Sequence, residues 1–179
     1  MTAVAPQRHR YTRKQVLARV AIGVAIMFIA AMWIYAFVFA DDSAVAKVKD
    51  TSWTTRAQEI CTRRNDLLDQ NSKDIRENTD GSPQAVGNGV SRATDIIEAA
   101  LDEVLAVTPP SAHDQELIAK WEGMYRTYIA DRRATEAKLA AGEKAELNET
   151  TLNGSPISAT IGDFTKPNRM DACSTPSGS

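Results

Sequence analysis

From Val20 to Ala40 the chain reads VAIGVAIMFIAAMWIYAFVFA, 21 positions without a charge, proline, asparagine or glutamine. A helix of that length covers about 31 Å at 1.5 Å per residue, which matches a hydrocarbon core of ~30 Å. In lipid only a helix satisfies every backbone N–H and C=O within the segment, so the mediocre helix propensity of Val, Ile and Phe is overruled. The run predicts a transmembrane helix over residues 20–40. Trp33 and Tyr35 fall in its outer half, in keeping with an aromatic anchor near one interface.

Beyond the run the pattern changes to a helical period. Trp53, Ala57, Ile60 with Cys61, Leu67 with Leu68, and Ile75 recur at three- and four-residue steps, and predict a helix ending near Arg76. Arg64 and Asn71 interrupt this stripe where it should be apolar. Ser82-Pro83 reads as an N-cap with proline at the first helical position. Val86, Val90, Ala93, Ile97, Leu101 and Val104 make the second stripe; Gly87 and Gly89 weaken its first turns. Pro109-Pro110 stops it.

Ser111 starts the third helix, with Asp114 three residues on in a spacing like a capping box. Its buried face is expected to hold Leu117, Ile118, Trp121, Met124, Tyr125, Tyr128, Ile129 and Leu139, and Gly142 to stop it. EKAELNETTLNG reads as irregular. Ser155-Pro156 repeats the signal of cap plus proline before a short fourth helix marked by Ile157, Ile161 and Phe164. No strand-like alternation appears. The predicted fold class is all-α: an N-terminal transmembrane helix, then an up-and-down bundle of three long helices and one short.

Charge sharpens the topology. The 179 residues carry 21 Lys+Arg and 23 Asp+Glu, a net −2. Residues 1–40 hold five basic residues and no acid, so residues 41–179 hold 16 basic and 23 acidic, or −7. Arg8, Arg10, Arg13, Lys14 and Arg19 precede the apolar run, and Asp41 and Asp42 follow it. The positive-inside rule then puts the N-terminus in the cytoplasm and the remainder outside. Val38-Phe39-Ala40 also suits a signal peptidase, but the run is longer than a signal h-region of 7–15 residues. Either reading exports the rest. The expected organisation is a basic cytoplasmic tail 1–19, a membrane helix 20–40, a stalk or linker 41–52, an extracytoplasmic helical domain 53–173 and a disordered tail 174–179.

Cys61 and Cys173 are the only cysteines. An even-numbered up-and-down bundle returns its C-terminus to the end where the first helix began, and both residues lie on the exported side. A Cys61–Cys173 disulfide is therefore predicted.

Little else carries chemistry. Trp121, Tyr125 and Tyr128 with Arg126, Arg132 and Arg133 could form a stacking surface; at helical spacing they read as core, with the arginines on the wet side. His113 has no second His or Cys at ligand spacing, so no metal or cofactor is expected. Glu98, Asp102 and Glu103, or Asp131 and Glu136, read as exposed helix partners. The sequons at Asn148 and Asn153 carry no weight alone. No phosphate loop, nucleophile elbow or zincin motif occurs.

The blocks RVAIGVAIMFIAAMWIYAFVFADD, RAQEIC, LDEVLAVTPP, WEGMYRTYIADRR, SPISATIGDF and NRMDAC together resemble uncharacterised actinobacterial single-pass membrane proteins. The resemblance covers most of residues 11–173. It implies the same layout of anchor plus helical domain and the paired Cys61 and Cys173, and it transfers no functional residue. The expected function is a non-enzymatic binding or scaffold module of the cell envelope. It would be held by the bilayer through residues 20–40, with an envelope protein or wall polymer as partner and no nucleic acid. The alternatives are a carboxylate-using envelope hydrolase and a four-helix sensory domain.

Overall fold

The computed structural model describes residues 13–34, 46–78 and 80–176. The chain divides into two units, residues 1–44 and 45–179. In the first, helix α1 runs Arg13–Ile34, and its apolar side chains from Ile22 to Met32 are exposed. Most of the basic tail, Tyr35 and the cleavage-like Val38-Phe39-Ala40 lie outside the described residues. Among the described residues no helix is long and apolar enough to cross a membrane. The described part of the apolar run, residues 20–34, reaches only about 22 Å at 1.5 Å per residue.

The second unit is built from α2 (Thr51–Asn78), α3 (Pro83–Leu105), α4 (Ala112–Ala140) and the shorter α5 (Ile157–Thr165). Each start has a local cause. Asp50 Oδ1 accepts from Ser52 N at 3.0 Å and Trp53 N at 3.1 Å, capping α2. Ser82 Oγ accepts from Ala85 N ahead of Pro83 in α3, and Ser111 Oγ accepts from Asp114 N in α4. Gly142, at φ +84°, ends α4; its N–H bonds Leu139 O, and Glu143 N–H bonds Lys138 O.

Contacts along the helices fix their directions. Arg63 of α2 meets Glu103 of α3, and Ile75 meets Gly89, so these helices are antiparallel. Arg126 of α4 meets Asp102, Arg133 meets Asp95 and Leu139 meets Gly87, so α3 and α4 are antiparallel as well. Asp131 binds Thr150 while Trp121 stacks on Phe164, which sends α5 back along α4. The up-and-down order is the predicted one. Gly87 and Gly89 serve close approach: a Cβ on Gly89 would collide with the Ile75 side chain, and one on Gly87 would lie 3.0 Å from Leu139 Cβ. The helix accordingly runs through both.

The core is centred on Trp121, which meets Trp53 edge-on at 6.1 Å, Tyr125 at 5.0 Å and Phe164 in a stack at 6.0 Å. Trp121, Tyr125 and Tyr128 are each 1% exposed, as expected of core aromatics. Three expectations need correction. Leu67 faces solvent at 49%, leaving Leu68 to fill its place in the core. Arg132 is buried at 2% and so is not on the wet side with Arg126 and Arg133, whereas Arg64 and Asn71, at 3% and 6%, lie on the buried stripe they interrupt. Ser155 does not cap α5: Thr151–Leu152 and Ser155–Pro156 pair as a two-residue antiparallel hairpin, and Pro156 takes the N-cap position. Asn153 and Gly154, both at positive φ, form its turn.

The ends of the unit are tied down. Cys61 and Cys173 form a disulfide with a Cα–Cα distance of 5.0 Å. From the segment expected to be a stalk, residues 46–50 lie on the bundle, with Val48 4% exposed; residues 41–45 are outside the described set. Ser174, Thr175 and Pro176, expected in the disordered tail, are half-buried. Replacing both cysteines by serine should destabilise the bundle by about 2–5 kcal/mol, the usual loss for a bridge closing a long loop. Urea unfolding of the oxidised protein and of this variant, compared at equal slope, checks it; equal midpoints would show the bridge to be energetically idle.

Candidate functional site

The residues that α2 keeps polar on its buried face form a receiving surface for the C-terminal segment. Cys61 and Arg64 are one turn apart and share that face. Arg64 Nη2 donates to Ala172 O at 2.5 Å and Ser174 O at 2.9 Å, and Nη1 donates to Tyr125 Oη at 2.9 Å. Tyr125 Oη in turn donates to Cys173 O. Asn65 Nδ2 donates to Ala172 O, and Gln58 Oε1 accepts from Ala172 N at 3.0 Å. Three consecutive carbonyls, at residues 172, 173 and 174, are thus met by side chains. A buried segment without a ladder partner needs such donors, since an orphaned carbonyl costs about 1–3 kcal/mol.

Next to this surface lies a cleft of about 490 Å³, lined by Asn65, Leu68, Ser72, Ala93, Ile97 and Arg132 and walled by Ser174–Pro176. Arg132 Nε donates to Thr94 Oγ1 at 3.0 Å and Nη1 to Tyr128 Oη at 3.3 Å; the guanidinium lies 5.7 Å from the Tyr128 ring centroid. Asp69 and Asp171 stand on its exposed margin. The cleft therefore combines a buried cation, an apolar wall from Leu68 and Ile97, and a polar rim. That mixture suits a polar ligand with an apolar body.

The carboxylates singled out in the sequence are employed elsewhere. Arg126 lies 2.6 Å from Asp102, 3.4 Å from Glu122 and 3.7 Å from Glu98. Arg133 takes Asp95 at 2.5 Å, Glu136 at 3.0 Å and Glu98 at 3.1 Å. The hydrogen bond that Arg133 donates to Asp95 leads those to the other carboxylates in pushing Arg133 further above its already high basic range. Both arginines are about two-fifths exposed, so each pair contributes about 0.2–1 kcal/mol. Glu103 pairs with Arg63, and Asp131 caps the approach to the hairpin through Thr150. His113 is exposed, and among the described residues no group of three His, Cys, Asp or Glu could hold a metal ion.

Asp114 has a task its spacing did not announce. Its carboxylate accepts from Lys49 N and Asp50 N, both at 3.0 Å, and so leaves its own helix to hold the irregular stretch before α2. Asn168 does the same from the other side, accepting from Val48 N at 2.7 Å and donating to Ala46 O at 2.8 Å. No signal marks Asn168 in the sequence. Arg64 and Asn71 did carry one, as polar interruptions of an apolar stripe; Asn71 donates to Gly89 O at the close contact between α2 and α3. No protein-family model, curated protein or solved structure matches the chain.

Arg64→Met should destabilise the unit by about 1–3 kcal/mol, because the Ser174 carbonyl loses its side-chain donor while that of Ala172 keeps Asn65. Amide exchange would speed up first in residues 172–175, and a variant unchanged in both respects would remove Arg64 from this role. Tyr125 gives a pH signature. Burial, opposed by Arg64, raises its phenol above the ordinary 10.0. The unfolded chain loses that proton first, so this contribution to stability is complete below pH 10 and falls as pH rises towards the native value. Tyr125→Phe should flatten the stability profile above pH 10, as read by urea midpoints across alkaline buffers.

Proposed function

We propose that the chain is a single-pass membrane protein whose residues 20–40 cross the bilayer, with the basic tail 1–19 inside and the helical unit outside. We propose further that this unit is a non-enzymatic binding or scaffold module of the cell envelope. The observation that carries the reading is the buried Cys61–Cys173 disulfide, with both sulfurs in the core. Such bridges form and persist in oxidising compartments and are rare where thiols are kept reduced. Export of the unit, whichever way the apolar run achieves it, is the simplest source of that compartment.

Two further facts support the anchor. The charge divides +5 before residue 41 and −7 after it. The apolar side chains of α1 from Ile22 to Met32 are exposed all round the helix, which water does not favour and lipid does. The binding role is supported by the cleft over Arg132, whose wall is fastened by the disulfide and by Arg64. An envelope hydrolase would use two convergent carboxylates. The carboxylates on α3 and α4 support a structural use instead, because Asp95, Glu98, Asp102, Glu122 and Glu136 are held by Arg126 and Arg133.

Carbonate extraction of membranes from expressing cells should leave the chain in the pellet; release into the supernatant would overturn the anchor. Cross-linking in intact cells with a linker placed at Thr175, on the cleft wall, should capture an envelope protein or polymer. An empty result that persists with linkers at Ser72 and Asp69 would overturn the binding role.

A further inference from the structure

The unit is acidic overall, yet two of its short stretches each present two exposed cations. Asn168 holds the backbone of Ala46–Val48 from both sides, through its carbonyl oxygen and its amide nitrogen. That pairing brings two short stretches together, and each carries cations outward. Val48 is buried at 4%, so the alternation of extended backbone turns Lys47 and Lys49 to the outside, and both are exposed. On the facing stretch Asn168 is buried at 4% and Met170 at 0%, while Lys166 and Arg169 are exposed. Arg169 sits at φ +57° in a turn closed by Arg169 N to Lys166 O and Met170 N to Thr165 O. Two exposed cations thus lie on each of the two stretches that the Asn168 side chain joins.

Of the acids near this pairing, Asp114 and Asp50 are committed to backbone groups. Asp114 is 1% exposed and receives Lys49 N and Asp50 N. Asp50 caps α2 and is held below the ordinary carboxylate range, first by its bond from the Ser52 hydroxyl and then by Trp53 N–H. Asp171 lines the cleft over Arg132. Asp163 on α5 is exposed, and Asp41 and Asp42 lie outside the described residues.

We propose that Lys47, Lys49, Lys166 and Arg169 form a docking face for anionic phospholipid headgroups. The partner follows from chain length as well as from charge. Only residues 41–45 separate the end of the apolar run at Ala40 from Ala46, so Lys47 and Lys49 can be no more than about 25 Å and about 32 Å from it along the backbone. That short tether lets the basic patch reach the bilayer surface, and basic residues that come within about one Debye length, roughly 8 Å at physiological salt, are drawn to anionic lipid. The proposal rests on the anchor reading above. It adds that this face of the helical unit binds anionic lipid.

The test uses the full chain reconstituted in vesicles of phosphatidylcholine alone or with phosphatidylglycerol. Flotation reports the anchor, and the rate of lysine acylation by a small reagent reports the face. The chain should float with both lipids. Acylation of Lys47, Lys49 and Lys166 should fall about fivefold in the anionic vesicles only, and high salt should restore it. Lys73 and Lys138, exposed at the far ends of α2 and α4, serve as controls and should not change. The combined variant Lys47→Gln, Lys49→Gln and Arg169→Asn alters exposed positions only, and Asn tolerates the positive φ. It should melt as the parent does while returning Lys166 to its rate in phosphatidylcholine.

Flotation with both lipids and equal acylation in the two would overturn the face and leave the anchor standing. Flotation only with anionic vesicles would keep the face and overturn the anchor. Equal protection of the three lysines by soluble polyphosphate would transfer the face to an anionic polymer and overturn the assignment to lipid.

Discussion

The attachment of residues 171–176 to α2 is the constraint on which the rest of the helical unit depends. This segment has no sheet or long helix to satisfy its backbone, and it is nevertheless packed against the core. The disulfide fixes one point, Cys173 on Cys61. Around it Gln58, Arg64 and Asn65 meet the peptide groups of Ala172 and Ser174, and Tyr125 meets that of Cys173. The contacts advance together, from Gln58 with Ala172 to Arg64 with Ser174, so the segment runs along α2 in the same direction. A charged guanidinium in the interior is costly alone. Here its donors are taken up by two carbonyls, a phenol and a neighbouring amide oxygen, so burial and hydrogen bonding compensate each other.

The same device works at the other end of the sequence. Residues 46–50 reach the bundle with no secondary structure of their own, and their N–H groups go to Asp114 and Asn168. Asp114 comes from the first turn of α4 and Asn168 from just beyond α5, so this short stretch joins elements far apart in the chain. Both irregular segments are therefore positioned by side chains reading backbone. The consequence for function is that the C-terminal segment makes a wall of the cleft over Arg132, and the N-terminal one presents Lys47 and Lys49.

Elements whose burial follows a simple period were legible in the sequence. The stripes from Trp53, Val90 and Leu117 gave the long helices, and proline and glycine at Pro83, Pro109 and Gly142 gave their limits within a few residues. The disulfide was legible because helix parity alone brings the chain ends together. What escaped was set by tertiary contacts. Arg132 lies on the same helix as the solvent-facing Arg126 and Arg133, and its burial goes with the positions of Thr94 across the interface and Tyr128 on its own helix. The hairpin at Thr151–Pro156 has strands of two residues, too short to leave an alternation, although Asn153-Gly154 was its visible trace. Gly87 and Gly89 looked like weak helix and prove to be places where α2 and α4 come close. Asp114 had the spacing of a capping box, but its carboxylate found Lys49 and Asp50, which no local rule could supply.

Arg64 and Asn71 deserve the opposite treatment from the one a hydrophobicity pattern invites, because they carry information an apolar residue could not. Slide α2 by one turn in either direction and the position facing Tyr125 is taken by Ile60 or Leu68. The core would lose little, since both are apolar and are already buried at 3% and 8%. The hydrogen bonds would lose a great deal: the carbonyls of Ala172 and Ser174 would be left without the Arg64 donors, and Tyr125 would keep only one of its partners. At about 1–3 kcal/mol for each orphaned group, the slipped register is disfavoured by more than packing alone provides. Asn71 acts in the same sense two turns further on, where its bond to Gly89 O is made at the point of closest helix approach. A uniform apolar stripe would have permitted several alignments of α2; two polar residues in it leave one.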